Sequence, residues 1–426
     1  MDALARLMRE LEDQLVVCMR CGMCQSVCPV FDQTGREADV ARGKLALLSG
    51  LMEQIFDDPE GVYQRLNKCL LCGSCAANCP SGVSVQEIFL KARAILTGYM
   101  GLSPAKRLIL KGMLANPKLF DRLVEWGARF QKIFTRPVND IIGTSCARVM
   151  SPLIQDRHFR TLAPVPFHRQ VPSMDRPAGK SGIKVAVFTG CLIDKMFPAI
   201  AHSTIKVLDH LGVGIFLPAN QGCCGIPALS SGDLPTFQKL LDHSLERFES
   251  GEFDFLVTAC ATCTSTIHEV WPKLADERTR DAATRLARRT MDINQFLVRE
   301  TALKPLSKSA GKACTVTYHD PCHLKKSLKV FNEPRAVIKA APGCQLTEMA
   351  ESDWCCGMGG SFNLQYYDIS KGIGMKKAAQ IKDTGANVLA TGCPACMIQI
   401  SDMLSQAGAS ITVRHPIELL AEALDE

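Results

Sequence analysis

The stretch CMRCGMCQSVCP, residues 18–29, returns 51 positions later as CLLCGSCAANCP, residues 69–80. In each copy three cysteines follow at intervals of three residues, and a fourth comes four residues later, directly before a proline. Three thiolates on one tight loop can occupy three corners of an iron–sulfur cubane, and the cysteine before proline points toward the neighbouring cluster. The spacing therefore predicts two [4Fe–4S] clusters with crossed ligands.

The crossed arrangement assigns each of the eight thiols to one cluster. The first cluster is predicted to take Cys18, Cys21, Cys24 and Cys79, and the second Cys69, Cys72, Cys75 and Cys28. A pair of zinc knuckles is the alternative, but zinc sites commonly use two separated CxxC pairs and rarely a run of this kind. Redox sensing by free thiols is favoured even less.

Cysteine is the outlier of the composition, with 21 among 426 residues. A disulfide framework requires an oxidising compartment and usually a small secreted chain. The amino terminus has the pattern of a charged amphipathic helix rather than a signal peptide, and no apolar run approaches the roughly 18 residues of a transmembrane helix. We therefore expect a cytoplasmic protein whose cysteines hold metal or perform thiol chemistry.

A second cysteine pattern is duplicated in the carboxyl-terminal half, with matching cysteines 131 to 133 residues apart. The first copy consists of Cys191, Cys223, Cys224, Cys260 and Cys263, and the second of Cys322, Cys355, Cys356, Cys393 and Cys396. Five thiolates are one more than tetrahedral zinc uses, and soft thiolates in that number favour iron–sulfur. The repeat predicts one or two further [4Fe–4S] clusters, which need not be cubanes.

Two alternatives remain open for this repeat. Cys393 and Cys396 alone would pass as a thioredoxin-like dithiol, and one copy could hold a structural zinc with a cysteine unused. The three cysteines outside any pattern are predicted to be buried small apolar residues, and these are Cys146, Cys314 and Cys344.

The segments between the motifs suggest an α+β multidomain protein, in which a helical two-cluster ferredoxin-like domain precedes a duplicated α/β cysteine-rich domain. We expect the ferredoxin-like domain at residues 1–98 and the two cysteine-rich domains at 183–305 and 306–426. Strands should precede Cys191, Cys322 and Cys393, which places ligands at the carboxyl ends of strands, where open α/β sheets carry their sites.

Between these domains, residues 99–182 are predicted to form a basic helical segment, 103–136, and an extended proline-rich connector, 151–182. Pro117 should divide the helical segment in two. Its eight basic and two acidic side chains give it the same net charge, +6, as the whole chain. Such a segment fits an acidic partner surface or peripheral contact with anionic lipid headgroups, and a solvated helical face is equally compatible. Nucleic-acid binding is disfavoured because no recognition motif accompanies the charge.

Nucleotide-binding motifs are missing from the sequence, which contains neither GxGxxG nor GxxxxGK. The chain is therefore not expected to bind NAD, FAD or ATP by a common motif, or to oxidise an organic substrate alone. His319 and His323 flank a cluster ligand, Cys322, and are candidates for proton delivery to a reducible substrate. The more frequent role of such side chains is to hydrogen-bond cluster sulfurs and to set the redox potential.

Four longer stretches carry a family resemblance, namely GCLIDKMFPAI from residue 190, QGCCGIPALSSGD from 221, YHDPCHL from 318 and CCGMGGSFNLQYYDIS from 355. With the two ferredoxin motifs, they resemble the CCG-domain iron–sulfur subunits of glycolate oxidase and respiratory lactate dehydrogenase. They also resemble the membrane-type heterodisulfide reductase catalytic subunit. The GMGGSF continuation is closer to the lactate and glycolate proteins, whereas the presence of both Cys393 and Cys396 keeps the heterodisulfide reductase reading open.

The resemblance implies that a separate FAD subunit oxidises a 2-hydroxy acid such as lactate or glycolate. The present chain would pass the electrons through its clusters to a quinone, a cytochrome or another carrier. The alternative that it implies is a heterodisulfide-reductase-like subunit that reduces a disulfide at its CCG clusters. Two hypotheses remain. One is an electron-transfer subunit like that of anaerobic glycerol-3-phosphate dehydrogenase, and the other is a protein in which the cysteines bind structural zinc.

Overall fold

The computed structural model describes residues 2–149, 156–301, 303–306 and 314–424. The chain divides into two compact units, each built from three segments. The first unit contains Met1–Ala115, Gly225–Phe237 and Cys355–Gly374, and the second contains Asn116–Cys224, Gln238–Trp354 and Met375–Glu426. No helix among the described residues combines the length and the apolarity that crossing a membrane requires.

The α-helices, in chain order, are α1 (Asp2–Met8), α2 (Glu12–Leu15), α3 (Met23–Ser26), α4 (Pro29–Thr34), α5 (Ala41–Met52), α6 (Pro59–Asn67), α7 (Ser74–Ala77), α8 (Val85–Met100), α9 (Pro104–Arg107), α10 (Pro117–Phe134), α11 (Phe167–Gln170), α12 (Gly190–Met196), α13 (Pro198–His210), α14 (Ile226–Ser230), α15 (Leu234–Phe248), α16 (Ala261–Ser265), α17 (Trp271–Leu274), α18 (Arg280–Arg288), α19 (Ile293–Glu300), α20 (Asn332–Ala340), α21 (Ser361–Gln365), α22 (Tyr367–Asp383), α23 (Pro394–Gln406) and α24 (Pro416–Glu422). Short 3₁₀ turns occupy Arg9–Leu11 and Glu37–Asp39, and π-helical turns occupy Leu108–Leu114, Thr266–Val270 and His323–Leu328.

The strands are β1 (Thr135–Asn139), β2 (Thr144–Ala147), β3 (Phe159–Arg160), β4 (Met174–Arg176), β5 (Lys184–Val187), β6 (Gly214–Leu217), β7 (Phe255–Thr258), β8 (Thr290–Asp292), β9 (Cys314–Tyr318), β10 (Cys344–Leu346), β11 (Val388–Ala390) and β12 (Thr412–Arg414). They form sheets in the orders β1-β2-β3, β4-β6-β5-β7-β8 and β10-β9-β11-β12.

The first unit is helical, and the cysteines of its two ferredoxin motifs border its hydrophobic core. Helices α1, α5, α6 and α8 bury one apolar face each, with fully buried residues such as Leu48, Leu66 and Ile88. Partly buried cysteines pack directly against this core, and these are Cys18, Cys24, Cys69, Cys75 and Cys79. The packed helices therefore form an apolar surface that supports the cysteine loops.

The second unit contains the three sheets. In the five-stranded sheet β6, β5, β7 and β8 run parallel, and β4 adds an antiparallel edge. All four strands of the second large sheet run parallel. The central strands are short apolar runs, as expected of strands covered on both faces. Parallel pairing brings the carboxyl ends of neighbouring strands to one edge of each sheet, and the cysteine loops follow those ends.

Most of the predicted elements that carry cysteines are confirmed. The strands expected before Cys191, Cys322 and Cys393 are β5, β9 and β11. A new helix does begin at Pro117, because proline is tolerated at the first helical position but not inside a helix.

The predicted extended connector is wrong in part. Residues 151–155 lie outside the described residues, but the remainder contains β3, α11 and β4 rather than a bare linker. Strand β4 pairs with β6, with Asp175 opposite Phe216. The antiparallel sheet of β1, β2 and β3 was not anticipated either. Two- and three-residue strands leave too little periodicity to be recognised without their partners.

Close packing at Gly232 leads to a prediction about stability. Gly232 has φ +84°, and a Cβ atom added there would lie 2.1 Å from Thr97 Oγ1 and 2.5 Å from the Arg93 carbonyl oxygen. We expect Gly232→Ala to lower the free energy of unfolding by about 3 kcal/mol, from left-handed strain plus overpacking. The matched control is Gly35→Ala, at φ +61° with no atom within 4 Å, which should cost about 1 kcal/mol. Equal losses in anaerobic urea unfolding would show that the contact with Thr97 and Arg93 is unimportant.

Candidate metal centres

The two ferredoxin motifs adopt the same local backbone. In each, the residue two positions after the first cysteine has positive φ, at Arg20 (55°) and Leu71 (54°). The glycine after the second cysteine, Gly22 or Gly73, is also left-handed and precedes a short helix that carries the third cysteine. Two left-handed residues in one loop turn successive thiols toward a common point, which three-point binding of a cubane needs.

The first cavity in this unit is surrounded by cysteines from both motifs. It measures about 390 Å³ and is lined by Cys18, Cys21 and Cys24 of the first motif together with Cys75 and Cys79 of the second. The Val83 backbone N–H donates to Cys79 Sγ at 3.4 Å, so this sulfur already accepts a hydrogen bond. The set expected from the sequence for the first cluster is therefore brought together here, with Cys75 added.

The second cavity measures about 440 Å³ and is lined by Cys28, Cys69, Cys72 and Cys75. Cys28 is the N-cap residue of α4, and Pro29 occupies the first helical position. Cys28 lines the cavity of the second motif, as Cys79 lines that of the first, and the exchange of the fourth ligand stays a prediction. Cys75 borders both cavities, so only one side chain separates the two sites at that point.

Two buried cations stand beside the second cavity, and sequence reasoning did not identify them. Lys44, 1% exposed, lines the cavity and donates to the carbonyl oxygen of Asp39. Arg93, 2% exposed, donates to the carbonyl oxygens of Cys69 (2.9 Å) and Ser230 (2.7 Å). No motif marks either residue, because each reaches the site from a helix remote in sequence. Burial lowers the pKa of both Lys44 and Arg93, but the negative charge of a neighbouring Cys69 thiolate partly offsets this, so these cations and the thiolates stabilise each other.

The thiols of both cavities fit a bound iron–sulfur cluster. Burial raises the pKa of Cys28 to about 11 and that of Cys75 well above its usual range, and neighbouring cysteines add to both effects. Thiols gathered in this way stay protonated unless a metal replaces the protons and balances the charge. Five soft sulfur donors line the first cavity and four line the second. Their spacing in the sequence is that of iron–sulfur loops rather than the two separated CxxC pairs that zinc sites commonly use.

All five thiols of the first repeat lie together in the second unit. Cys191 is the second residue of α12, which follows β5. Cys223 and Cys224 follow β6, and Cys260 and Cys263 follow β7. Sγ of Cys191 and Sγ of Cys223 are 3.8 Å apart. Hydrogen bonding with Cys191 and Cys224, reinforced by burial, raises the pKa of Cys223 well above its usual range. These cysteines come after β6, β5 and β7, which are neighbouring parallel strands, so the order of strands in the sheet brings the five thiols together.

The glycine before Cys191 is required by this packing. Gly190 has φ +65°, and a Cβ atom there would lie 3.1 Å from Cys263 Sγ. On the other side of the site, Trp271 Nε1 donates to the carbonyl oxygen of Cys224 at 2.9 Å. The thiol set is thus enclosed by close contacts on two sides.

The second repeat reproduces this geometry at its CxxC loop. Cys260 and Cys393 both cap a helix in extended conformation, at φ −138°, ψ 109° and φ −142°, ψ 113° respectively. Within the second unit the two loops meet, because the Ala261 N–H donates to the Gly392 carbonyl oxygen at 3.0 Å. Hydrogen bonds from Cys260 and Cys396 lower the pKa of Cys393 well below its usual range. The CxxC loops of the two repeats are therefore in direct contact.

The remaining cysteines of the second repeat are distributed between the units. Cys322 is buried in the second unit, four residues after the end of β9. Cys355 and Cys356 are buried in the first unit, where the Gly357 N–H donates to Cys355 Sγ at 3.4 Å. Gly357 has φ +93°, and Ser370 Oγ donates to its carbonyl oxygen at 2.7 Å.

The two candidate histidines differ in environment. His319 is fully buried, and neither ring nitrogen has a hydrogen-bond partner among the described residues. One of these nitrogens lies within 4.8 Å of Cys396 Sγ. His323 is only partly buried, with Nδ1 3.1 Å from Thr262 Oγ1, which itself lies 3.5 Å from Cys393 Sγ. The orphaned imidazole of His319 is therefore free to hydrogen-bond a cluster sulfur.

A third histidine, His415, was missed by sequence reasoning. It is fully buried, its Nδ1 accepts from the Ile417 N–H at 3.1 Å, and burial lowers its pKa to about 3. Nε2 has no partner among the described residues, and Cys393 is a close neighbour. The signal available in the sequence was the helix-capping pattern His-Pro-x-Glu, residues 415–418, which says nothing about a nearby thiol.

The prediction for the three unassigned cysteines is wrong, because all three are partly exposed. Arg136 Nε lies 3.1 Å from Cys146 Sγ. Cys314 and Cys344 are opposite each other on β9 and β10, with their sulfurs 3.4 Å apart. The edge position of β10 explains the exposure of Cys344, since among the described residues no strand pairs with its outer side.

Comparison with known families supports the iron–sulfur assignment. Residues 14–83 match the 4Fe-4S dicluster domain, a range that contains all eight cysteines of the ferredoxin motifs. Residues 185–268 and 316–401 each match the cysteine-rich domain CCG, so the duplication inferred from spacing is confirmed. Iron–sulfur clusters are therefore the cofactors of this chain.

Three relatives illustrate the range of similar proteins. The probable glycolate oxidase iron-sulfur subunit of Bacillus subtilis is 29% identical over 97% of this chain and 94% of its own length. Lactate utilization protein A of Halalkalibacterium halodurans is 30% identical over 56% of this chain and 96% of its own length. A dihydromethanophenazine:CoB--CoM heterodisulfide reductase subunit of Methanosarcina barkeri is 28% identical over 96% of this chain and 94% of its own length.

The crossed ligand sets can be tested by replacing the cysteines that precede proline. Cys79→Ser should damage the cluster bound by the first motif, and Cys28→Ser should damage the cluster bound by the second, because each serine lies in the opposite cavity. Iron analysis and EPR of anaerobically purified protein measure the losses. Cys146→Ser, outside both cavities, is the control and should retain all iron. Loss of each motif's own cluster instead would contradict the crossed arrangement.

The charge of Lys44 should affect only the second cavity. Removing a cation beside a cluster makes the extra negative charge of reduction harder to accept. We therefore expect Lys44→Met to lower the midpoint potential of that cluster by about 60 mV or more, equivalent to about 1.4 kcal/mol for one electron. Lys91→Met removes a partly exposed lysine paired with Glu87 and should leave both potentials unchanged. Unaltered potentials in fully loaded Lys44→Met protein would exclude this effect.

Proposed function

We propose that this chain, which belongs to the family of CCG-domain iron–sulfur subunits of glycolate oxidase and lactate utilization proteins, transfers electrons in a 2-hydroxyacid dehydrogenase complex. In this proposal a partner FAD subunit oxidises lactate or glycolate, and the present chain carries the electrons onward. The observation that supports it most is the gathering of thiols at two adjoining cavities in a chain without a nucleotide motif.

The cofactors in this proposal are two cubane [4Fe–4S] clusters on the crossed sets, and one or two further [4Fe–4S] clusters in the CCG repeats. Each CCG repeat would supply the five thiols predicted from the sequence. We retain the proposed division into a ferredoxin-like domain at 1–98, a basic segment and connector at 99–182, and CCG domains at 183–305 and 306–426.

The chain's own residues would then position, shield and tune these groups. When bound, each cluster acts as a one-electron redox centre. Such centres suit a chain that must accept the two electrons of a reduced flavin one at a time. Cys75 borders both ferredoxin cavities, so the two clusters bound there would be immediate neighbours. Lys44 and Arg93 would stabilise negative charge at one of them. The downstream acceptor in this scheme is a quinone, a cytochrome or another carrier, on the cytoplasmic side.

A disulfide reductase is the second candidate. Two observations favour it, namely the complete cysteine set of the second repeat and the contact between Cys260 and Cys393. His319, buried within 4.8 Å of Cys396 Sγ and without a partner among the described residues, would then be placed to supply a proton at the reducing site. In the electron-transfer proposal the same imidazole instead donates a hydrogen bond to a cluster sulfur.

The proposal is tested by anaerobic purification from the native source, with iron counted and accompanying proteins identified. We expect a flavoprotein to accompany the chain and the complex to reduce a dye with lactate or glycolate. The physical reason is that the clusters accept electrons singly but cannot remove hydride from an organic substrate. Dye reduction should disappear from the complex carrying Cys79→Ser while the flavoprotein stays bound.

Three results would decide against it. Absence of a flavoprotein, or no dye reduction with either acid, would contradict electron transfer from a 2-hydroxyacid dehydrogenase. Reduction of a small disulfide by the fully loaded chain alone would favour the second candidate. Zinc with little iron in the anaerobic protein would contradict both.

A further inference from the structure

Helix α10 exposes an apolar face to solvent. Of its 18 residues only Ala128 is buried. Six large apolar side chains are between 37% and 65% exposed, and these are Leu119, Leu123, Trp126, Phe130, Ile133 and Phe134. At 100° per residue they fall within one arc of about 100° on the helix surface. A contiguous apolar face on the outside of a folded protein marks an interaction site.

The basic side chains form a second arc directly beside the apolar one. Lys118, Arg122, Arg129 and Lys132 are all exposed and occupy about 80° of the helix at the same spacing. Within the described ranges none of the four takes part in an ion pair. The helix surface therefore presents a stripe of unneutralised positive charge along one edge of its apolar face.

The two acidic residues of the helix lie within or beside the basic arc, but each is paired with a basic side chain from another segment of the second unit. Asp121 accepts from Lys195 Nζ at 2.6 Å. Glu125 accepts from Arg169 Nε at 2.9 Å and lies 3.1 Å from His168 Nε2. These contacts are within the second unit and fasten α10 along the margin of the basic arc. The rotation of the helix is therefore set, and its apolar and basic arcs are held outward.

From this arrangement we propose that α10 lies in the surface of a membrane rich in anionic phospholipid. Its apolar arc would enter the boundary between headgroups and acyl chains, and its basic arc would contact the phosphates. Trp126 and Phe130, with ring centroids 5.1 Å apart, form the aromatic part of the inserted face. A helix with Trp, Phe and Leu on one side and Lys and Arg on the adjoining side has the composition of interfacial helices.

Charge and apolar surface together favour lipid over an acidic protein surface. An acidic protein would neutralise the four basic side chains but would also need a groove shaped to the six apolar ones. A bilayer offers anionic headgroups and apolar chains in adjoining layers, which match the adjoining arcs without specific shape. The inference is independent of the proposed electron-transfer role, since it uses none of the cysteines.

The experiment is cosedimentation of the anaerobically purified holoprotein with vesicles of phosphatidylcholine alone or with added phosphatidylglycerol. We expect binding to the anionic vesicles that falls with added salt, and little binding to the neutral ones. The double variant Trp126→Ser, Ile133→Ser should reduce the partition coefficient about tenfold or more. Arg122→Gln with Arg129→Gln should reduce binding and its salt dependence.

Two control variants match these changes at other surfaces. Ile55→Ser removes an isoleucine that is 71% exposed, and Arg285→Gln removes an exposed arginine. Both should bind vesicles as the wild type does, and iron content should be unchanged in every variant. As a second readout, the tryptophan emission should shift to the blue with anionic vesicles and should not shift in Trp126→Phe.

Wild-type binding by the double serine variant would overturn the proposal, and so would equal binding to neutral and anionic vesicles. Failure of the wild type to bind any vesicle would also overturn it. If the α10 variants then lost a copurifying protein, the surface would be assigned to an acidic protein partner instead.

Discussion

Sulfur ligands can be gathered in an apolar interior only where something removes their protons and balances the resulting charge. In the cavities of the first unit, burial and neighbouring thiols raise the pKa of Cys28 and Cys75, which means that their thiolate forms are unfavourable without metal. Bound iron replaces the protons of these thiols and balances their charge, so cluster binding stabilises the folded arrangement of the loops. Lys44 and Arg93 provide part of the compensation from within the protein itself.

Two different structural devices deliver the thiols to their sites. In the first unit, short loops with paired left-handed residues turn the cysteines inward over a floor of helices. In the second unit, parallel strands carry the cysteines of the first repeat to a common sheet edge. The loops of the first unit need glycine at Gly22 and Gly73, whereas the sites of the second unit need the correct order of strands together with a glycine at Gly190. A chain with both arrangements can hold iron–sulfur clusters in two different protein environments, one among helices and one at the edge of a sheet.

Ligand spacing was predictable from the sequence because it is local, and so were the strands that precede Cys191 and Cys393. Contacts between distant segments were not predictable. The contact of Cys260 with Cys393 and the place of Lys44 beside the second cavity depend on tertiary packing. A helical segment was predicted over 103–136, but the sequence could not reveal that the apolar face of α10, including Leu123 and Phe130, is left exposed. Cys344 illustrates the same limit, since its exposure depends on the position of β10 in a sheet.

The meeting of the two CxxC loops has a consequence for how the chain can evolve. The duplicated halves share a backbone hydrogen bond between Ala261 and Gly392, so neither loop keeps its position if the other drifts. Duplicated domains normally diverge because one copy is released from selection. Here each CxxC loop contacts the other, so a substitution that shifts the backbone of one loop also disturbs the hydrogen bond made by the other. The symmetry of the pair, visible in the nearly equal backbone angles of Cys260 and Cys393, is what such mutual constraint preserves.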